Sequence, residues 1–239
     1  MKLTSLIILG LLALPAAGYA RQAPGAARFE VTSLKTMRPA LVDTVAALQK
    51  KDAAGAKAAM EAYDSIWNGT EVYISVRSME AYNDLEHNYQ AKLIEGLNAA
   101  SPDTAALVPV AQGMLKKYDE TIAMIEKAPP LNRLYDDVAR LRLERAHLRE
   151  VTPALKAGNI AKARKSFDAF NDNWDNIEHL VKERSIGAYT GIEKGMISIE
   201  GALAAAKPDV DSVITQVADV MTQYNTIVAQ LTREARDAK

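Results

Sequence analysis

Apolar residues recur every three or four positions along most of this chain, which is the spacing of one face of an α-helix. Two segments show the pattern most clearly: Leu107, Ala111, Met114, Leu115, Tyr118, Ile122 and Ile125, and Val210, Val213, Val217, Met221, Tyr224, Val228 and Leu231. Aromatic residues make up only 6% of the sequence, and a chain rich in Ala, Leu, Lys and Glu favours helices over strands. The predicted fold class is therefore all-α.

The sequence matches itself when it is shifted by 107 positions. This shift pairs Trp67 with Trp174, Glu71 with Glu178, Arg77 with Arg184, Ser78 with Ser185, Tyr82 with Tyr189 and Glu86 with Glu193. Further along, the shift becomes 106 and pairs Pro102 with Pro208. Because both tryptophans of the chain fall in one register, we expect a tandem duplication of a four-helix unit that forms two up-and-down bundles. The first copy covers residues 21–129 and the second covers residues 130–239.

Helix boundaries follow from the same pattern and from capping residues. The first copy is predicted to have helices at roughly 29–49, 53–76, 79–99 and 103–127, repeated in the second copy from about 132 to 236. Asp52 and Asn159 are expected N-caps, and Ser101 before Pro102 is expected to start a helix. If Ser78 is also a cap, a tight helical hairpin forms there; otherwise one helix of about 46 residues continues through this point. We favour the hairpin.

The start of the chain and its composition limit where the protein works and what it binds. Met1 to Ala20 has the charge, apolar run and small-residue end of a secretory signal peptide, with cleavage expected after Ala20. A periplasmic or secreted protein is therefore expected, without membrane insertion of the mature chain. The absence of cysteine excludes disulfides, thiol nucleophiles and thiolate metal sites. A net charge of −1 offers no basic surface for nucleic acid.

Glu71 is the most unusual residue of the repeated signature. With about 100° of rotation per residue, Glu71 lies on the same apolar stripe as Trp67 and Ser78, where a carboxylate needs a partner. Glu71 comes seven residues before the predicted turn and Glu86 comes eight after it. At a rise of about 1.5 Å per residue, the two carboxylates are expected at nearly the same height on facing helices.

Two interpretations of these carboxylates remain open. The functional one is an oxygen-rich metal site in each copy, made of Glu71, Glu86 and His87 and of Glu178, Glu193 and His179. Carboxylate and imidazole ligands suit iron, manganese or zinc. The structural alternative is that Glu71 and Glu178 pair with Arg77, Arg184 or another basic residue and hold the hairpin in register, while both histidines are exposed neighbours.

Catalytic motifs are scarce. Glu144 and His147 form an E-x-x-H, the spacing used in di-iron bundles, but the corresponding residues of the first copy are Met37 and Ala40. No nucleophile elbow, phosphate-binding loop or H-E-x-x-H motif is present. The sequence therefore predicts a protein that is not an enzyme.

The repeated signature also resembles a known family. The first copy reads A-K-A-A-M-E-A-Y-D-S-I-W-N-G-T-E and then V-R-S-M-E-A-Y-N-D-L-E, and the second reads F-N-D-N-W-D-N-I-E and then E-R-S-I-G-A-Y-T-G-I-E. About 40 residues of each copy resemble the extracytoplasmic helical domain of bacterial FTR1-family iron permeases. The resemblance implies a periplasmic accessory protein of iron uptake whose partner is a membrane iron permease or another periplasmic uptake component. The permease's R-E-x-x-E motifs and transmembrane helices are missing, so this chain itself transports nothing. A non-catalytic interaction scaffold is the alternative function.

Overall fold

The computed structural model describes residues 27–238, which form helices and turns without a β-strand. The segment predicted as the first copy contains α1 (Phe29–Gln49), α2 (Ala53–Ser75), α3 (Met79–Asn83), a π-helical segment (Asp84–Gln90), α4 (Ala91–Asn98) and α5 (Thr104–Lys127). The second contains α6 (Leu134–Lys156), α7 (Ile160–Asn173), a 3₁₀ turn (Trp174–Asn176), α8 (Glu178–Lys182), α9 (Ile186–Ala204) and α10 (Val210–Asp237). The predicted all-α fold is confirmed. The predicted signal peptide lies outside the described residues.

The predicted hairpin after α2 is confirmed. The backbone of Ser78 is extended, and its hydroxyl oxygen accepts a hydrogen bond of 3.1 Å from the Ala81 N–H. Ser185 caps α9 in the same way, through the Ala188 N–H. A short polar side chain that accepts an N–H at a helix start ends the preceding helix and begins the next one.

The other predicted helix starts are confirmed, with one exception. Asp52 and Asn159 cap α2 and α7 by accepting backbone N–H groups three residues ahead. The expected start at Ser101 is wrong, because Asp103 caps α5 and Asp209 caps α10. The Asp103 carboxylate accepts the Ala106 N–H over 3.1 Å, so α5 begins after Asp103 and Pro102 lies outside the helix.

Corresponding buried tyrosines tie the last helix of each copy to the first. The Tyr118 hydroxyl of α5 donates to the Leu34 carbonyl of α1 over 2.7 Å. In the second copy the Tyr224 hydroxyl of α10 donates to the Leu141 carbonyl of α6 over 2.8 Å. Both rings are fully buried, so each hydroxyl needs the hydrogen bond that it makes.

The two copies are packed together through α2 and α6. Gly69 lies at their closest approach, where a Cβ atom would come within 2.7 Å of the Ala139 carbonyl oxygen. The second-copy counterpart of Gly69 is Asn176, in the 3₁₀ turn. Buried residues from both copies form one continuous hydrophobic core.

Each copy departs once from regular α-helix. The π-helical segment lies in the first copy, where Met79–Asn98 contains one residue more than Ile186–Ala204 of α9. One added residue in an otherwise continuous helix produces such a π-bulge. Burial places the insertion between Glu86 and Gln90, because buried Gln90 corresponds to buried Met196 only at the shift of 106. The interruption in the second copy follows a run of Asn and Asp with low helix propensity.

Candidate functional site

Stacked aromatic rings lie near the signature glutamates in both copies. The Trp67 indole of α2 stacks on the Tyr82 ring at a centroid distance of 6.2 Å. In the second copy, Trp174 stacks on Tyr189 at 6.3 Å. Both tryptophans are buried while both tyrosines are only partly buried. The tyrosine hydroxyls can therefore interact with carboxylates that solvent reaches.

In the first copy, Glu71 and Glu86 lie around Tyr82 but have different partners. Arg142 of α6 forms an ion pair with Glu71, with 3.3 Å between Nη1 and Oε1. Glu86 instead accepts a hydrogen bond from the Trp67 indole N–H. Burial raises the pKa of Glu71, Arg142 opposes this, and the Glu86 carboxylate raises it further. The Glu71 charge is thus balanced by an arginine from the other copy.

In the second copy, Glu178 and Glu193 both lie near the Tyr189 hydroxyl. Hydrogen bonding to Glu193, burial and hydrogen bonding to Glu178 all raise the pKa of Tyr189. Within residues 27–238 neither glutamate forms an ion pair. The Lys182 ammonium lies over the Tyr189 ring, 4.9 Å from its centroid. Two partly buried carboxylates therefore lie near one phenol, and no arginine or lysine in the described part of the chain pairs with them.

The signature arginines do not pair with the signature glutamates. Arg77 lies 3.6 Å from the Glu30 carboxylate and donates to the Pro129 carbonyl. Arg184 pairs with Glu234 of α10, with 2.8 Å between Nη2 and Oε2. The ion-pair partner of Glu71 is instead Arg142. Sequence reasoning missed this residue because nothing in its local pattern marks a contact across the two copies.

A cleft of about 760 Å³ opens between the copies, bounded by α2, the π-helical segment, α4, α6 and α7. Glu86 and His87 line it, together with Asp64, Gln90 and His147. His87 is exposed and packs edge-on against Tyr82 at 6.1 Å. Glu71, Glu178, Glu193 and the exposed His179 are not among the lining residues. Of the expected site residues, the cleft gathers only Glu86 and His87.

Asp64 and Gln90 were missed by sequence reasoning. The one available signal was the change of shift from 107 to 106 after Glu86, which marks an inserted residue at this position. Insertions that form π-bulges often accompany functional sites.

The E-x-x-H of α6 forms a loose pair. The His147 Nε2 lies 4.0 Å from the Glu144 Oε2. Burial raises the pKa of Glu144 to about 7, against a hydrogen bond with Asn173 that lowers it, and burial lowers the pKa of His147. Both changes favour the neutral forms, so this pair carries little charge near neutral pH.

Within the described residues, no three histidines, aspartates or glutamates are grouped as a complete metal site. No helix in this part of the chain is long and apolar enough to cross a membrane. A search of protein-family models, curated proteins and solved structures finds no match to this chain. The resemblance to the permease domain stays a prediction from the signature residues.

Proposed function

We propose that this protein is an extracytoplasmic accessory protein of iron uptake that binds the metal through its paired signature glutamates. The observation that carries the proposal is that Glu178 and Glu193 both lie near the Tyr189 hydroxyl and form no ion pair within the described residues. A cation bound between two such carboxylates would be attracted by both negative charges. Carboxylate and phenol oxygens are hard ligands that suit iron and manganese.

The two copies differ in whether their signature glutamates already have partners within the protein. In the first copy Arg142 already offsets the charge of Glu71, and Trp67 occupies one oxygen of Glu86. In the second copy neither carboxylate is paired with a cation within the described residues. The Glu178–Glu193 pair is thus the stronger metal site, with water or a partner protein completing the coordination. The metal would pass to a membrane permease or another periplasmic uptake component, as the resemblance implies.

The test is a calorimetric titration of the purified protein with Fe(II), Fe(III), Mn(II) and Zn(II). Replacing Glu178 and Glu193 by glutamine keeps their size and hydrogen-bonding capacity but removes the charge. The double variant is expected to bind iron at least about tenfold more weakly, a loss of about 1.4 kcal/mol or more. Glu71→Gln is the matched control from the first copy, and it should change iron affinity much less. Equal iron affinity in the wild type and the Glu178/Glu193 variant would contradict the proposal.

An interaction scaffold is the second candidate function. It is favoured by the Glu71–Arg142 ion pair, which uses a signature glutamate to join α2 to α6. On this alternative the wild type binds none of the four metals, and Glu71→Gln only lowers thermal stability. The same titration therefore separates the two functions.

A further inference from the structure

Gln90 in the π-helical segment has an incomplete set of hydrogen bonds. Its side chain is only 3% exposed and lines the cleft between the copies. The amide nitrogen donates to Asp64 Oδ1 over 2.7 Å, which fixes the orientation of the amide. The carbonyl oxygen is buried and accepts no hydrogen bond from any described residue. A buried amide oxygen without a partner destabilises the fold, and a ligand held at this edge of the cleft would satisfy it.

Two carboxylates accompany this oxygen. Asp64 and Glu86 both line the cleft, and the pKa of Asp64 is raised by burial first and by the Glu86 carboxylate second. Neither forms an ion pair within the described residues. The nearby Arg149 donates to Asn68, while Lys162 is paired with Glu150. Asp64, Glu86 and Gln90 therefore contribute oxygen atoms to one side of the cleft, where the Arg149 charge lowers the pKa of Asp64 without forming an ion pair with it among the described residues.

This group of oxygens belongs to the first copy only. The second-copy counterpart of Asp64 is Asn171, which has no carboxylate, and that of Gln90 is Met196, which has no side-chain oxygen. The inserted residue of the π-helical segment lies between Glu86 and Gln90. The inserted residue changes the angle between Glu86 and Gln90 around the helix axis, compared with a regular α-helix, so that both residues line the same cleft.

We propose that Asp64, Glu86 and the Gln90 carbonyl oxygen bind an oxygen-preferring divalent cation in the cleft between the two copies. Two carboxylates and an amide carbonyl are the ligands that Ca²⁺, Mg²⁺ and Mn²⁺ take from proteins, and the cleft has room for the waters that complete their coordination. This site shares Glu86 with the first signature pair and shares nothing with Glu178 and Glu193. It does not depend on the proposed role in iron uptake.

Trp67 provides a fluorescent reporter of cation binding, because its indole N–H donates a hydrogen bond to Glu86. In a Trp174→Phe background the tryptophan fluorescence comes from Trp67 alone, and paramagnetic Mn²⁺ bound at Glu86 should quench it. The titration extends to about 1 mM Mn²⁺, the weak end of extracellular divalent-cation sites. Saturable quenching that Mg²⁺ or Ca²⁺ reverses is expected. The double substitution Asp64→Asn, Gln90→Met, which installs the second-copy residues, should weaken the apparent affinity by at least about tenfold.

Two controls make the result specific. Glu95→Gln removes an exposed carboxylate from the cleft wall and should leave Mn²⁺ affinity unchanged. Glu86→Gln keeps the side-chain oxygen near Trp67 and should lose binding, with circular dichroism showing that each variant is folded. No quenching in the Trp174→Phe protein, or equal quenching after the Asp64 and Gln90 substitutions, would overturn this site. Either result leaves iron binding at Glu178 and Glu193 untouched, because those residues lie outside the cleft.

Discussion

Lys51 has a left-handed backbone conformation, with φ of 60°, where the chain leaves α1. The corresponding residue of the second copy is Gly158, with φ of 71°. The turns match, because Asp52 N–H donates to the Ala47 carbonyl as Asn159 N–H donates to the Ala154 carbonyl. Residues with a Cβ atom adopt this conformation at a cost that glycine avoids.

Lys51→Gly is therefore expected to raise the free energy of unfolding by about 0.5 to 1 kcal/mol, because it removes backbone strain at an exposed position. Urea-induced unfolding followed by circular dichroism measures the change. The matched control is Gly158→Ala, whose Cβ would meet no atom within 4 Å. That variant should lose a similar amount through backbone conformation alone. A destabilised Lys51→Gly protein would show that the lysine makes a compensating contact.

Glu144 should make stability depend on pH. Its folded-state pKa of about 7 lies above the ordinary 4.5, so the folded protein holds the proton more tightly than the unfolded chain. The stabilisation is complete below about pH 4.5 and is lost as pH rises through about 7. Glu144→Gln removes this loss and should be more stable than the wild type above pH 7 by roughly 2 to 3 kcal/mol. Thermal unfolding across this pH range is the measurement, with the exposed Glu200→Gln as control; parallel wild-type and Glu144→Gln curves would refute the assignment.

At the scale of elements, the contact between α2 and α6 depends on a small residue. A Cβ on Gly69 would lie 2.7 Å from the Ala139 carbonyl and 3.0 Å from the Leu143 Cβ. Gly69→Ala therefore forces the two helices apart and should destabilise the protein by about 1 to 3 kcal/mol. Gly201 of α9 has open space at its Cβ position. Gly201→Ala should be neutral or stabilising, by up to about 1 kcal/mol.

Chemical denaturation of these two variants compares the same substitution in two helices. If Gly69→Ala were as stable as Gly201→Ala, α2 and α6 would have freedom to move apart without loss of packing. Such a result would remove the steric reason for glycine at this position.

Elements with local signals could be predicted from the sequence. The serine caps at Ser78 and Ser185 and the apolar stripes of α5 and α10 depend on residues within a few positions of one another. The π-helical segment could not be placed, because its position depends on which residues of the helix become buried. The 3₁₀ turn at Trp174–Asn176 also escaped prediction. The repeat implied a continuous helix there, although the surrounding Asn and Asp residues disfavour one.

At the scale of the whole molecule, the parts of the candidate sites that depend on contacts between distant helices could not be predicted from the sequence. The carboxylates around Tyr82 and Tyr189 lie within one hairpin each, so helical geometry was enough to single them out. Arg142 and the cleft residues come together only because α2 packs against α6, and that contact joins residues about seventy positions apart. No pattern within a helix specifies such a contact. The partner of Glu71 and the shape of the cleft therefore had to come from the structure.

The packing of α6 on α2 also affects how the first copy can fold before α6 is available. The fully buried Tyr73 of α2 donates a hydrogen bond from its hydroxyl to Asp136 of α6 over 3.2 Å, and Gly69 contacts the same helix. Until residues of α6 emerge, the first copy has these groups and the neighbouring apolar surface exposed. Exposed apolar surface of this kind is where nascent chains associate wrongly. The first copy is therefore expected to be prone to association until α6 is available to cover α2.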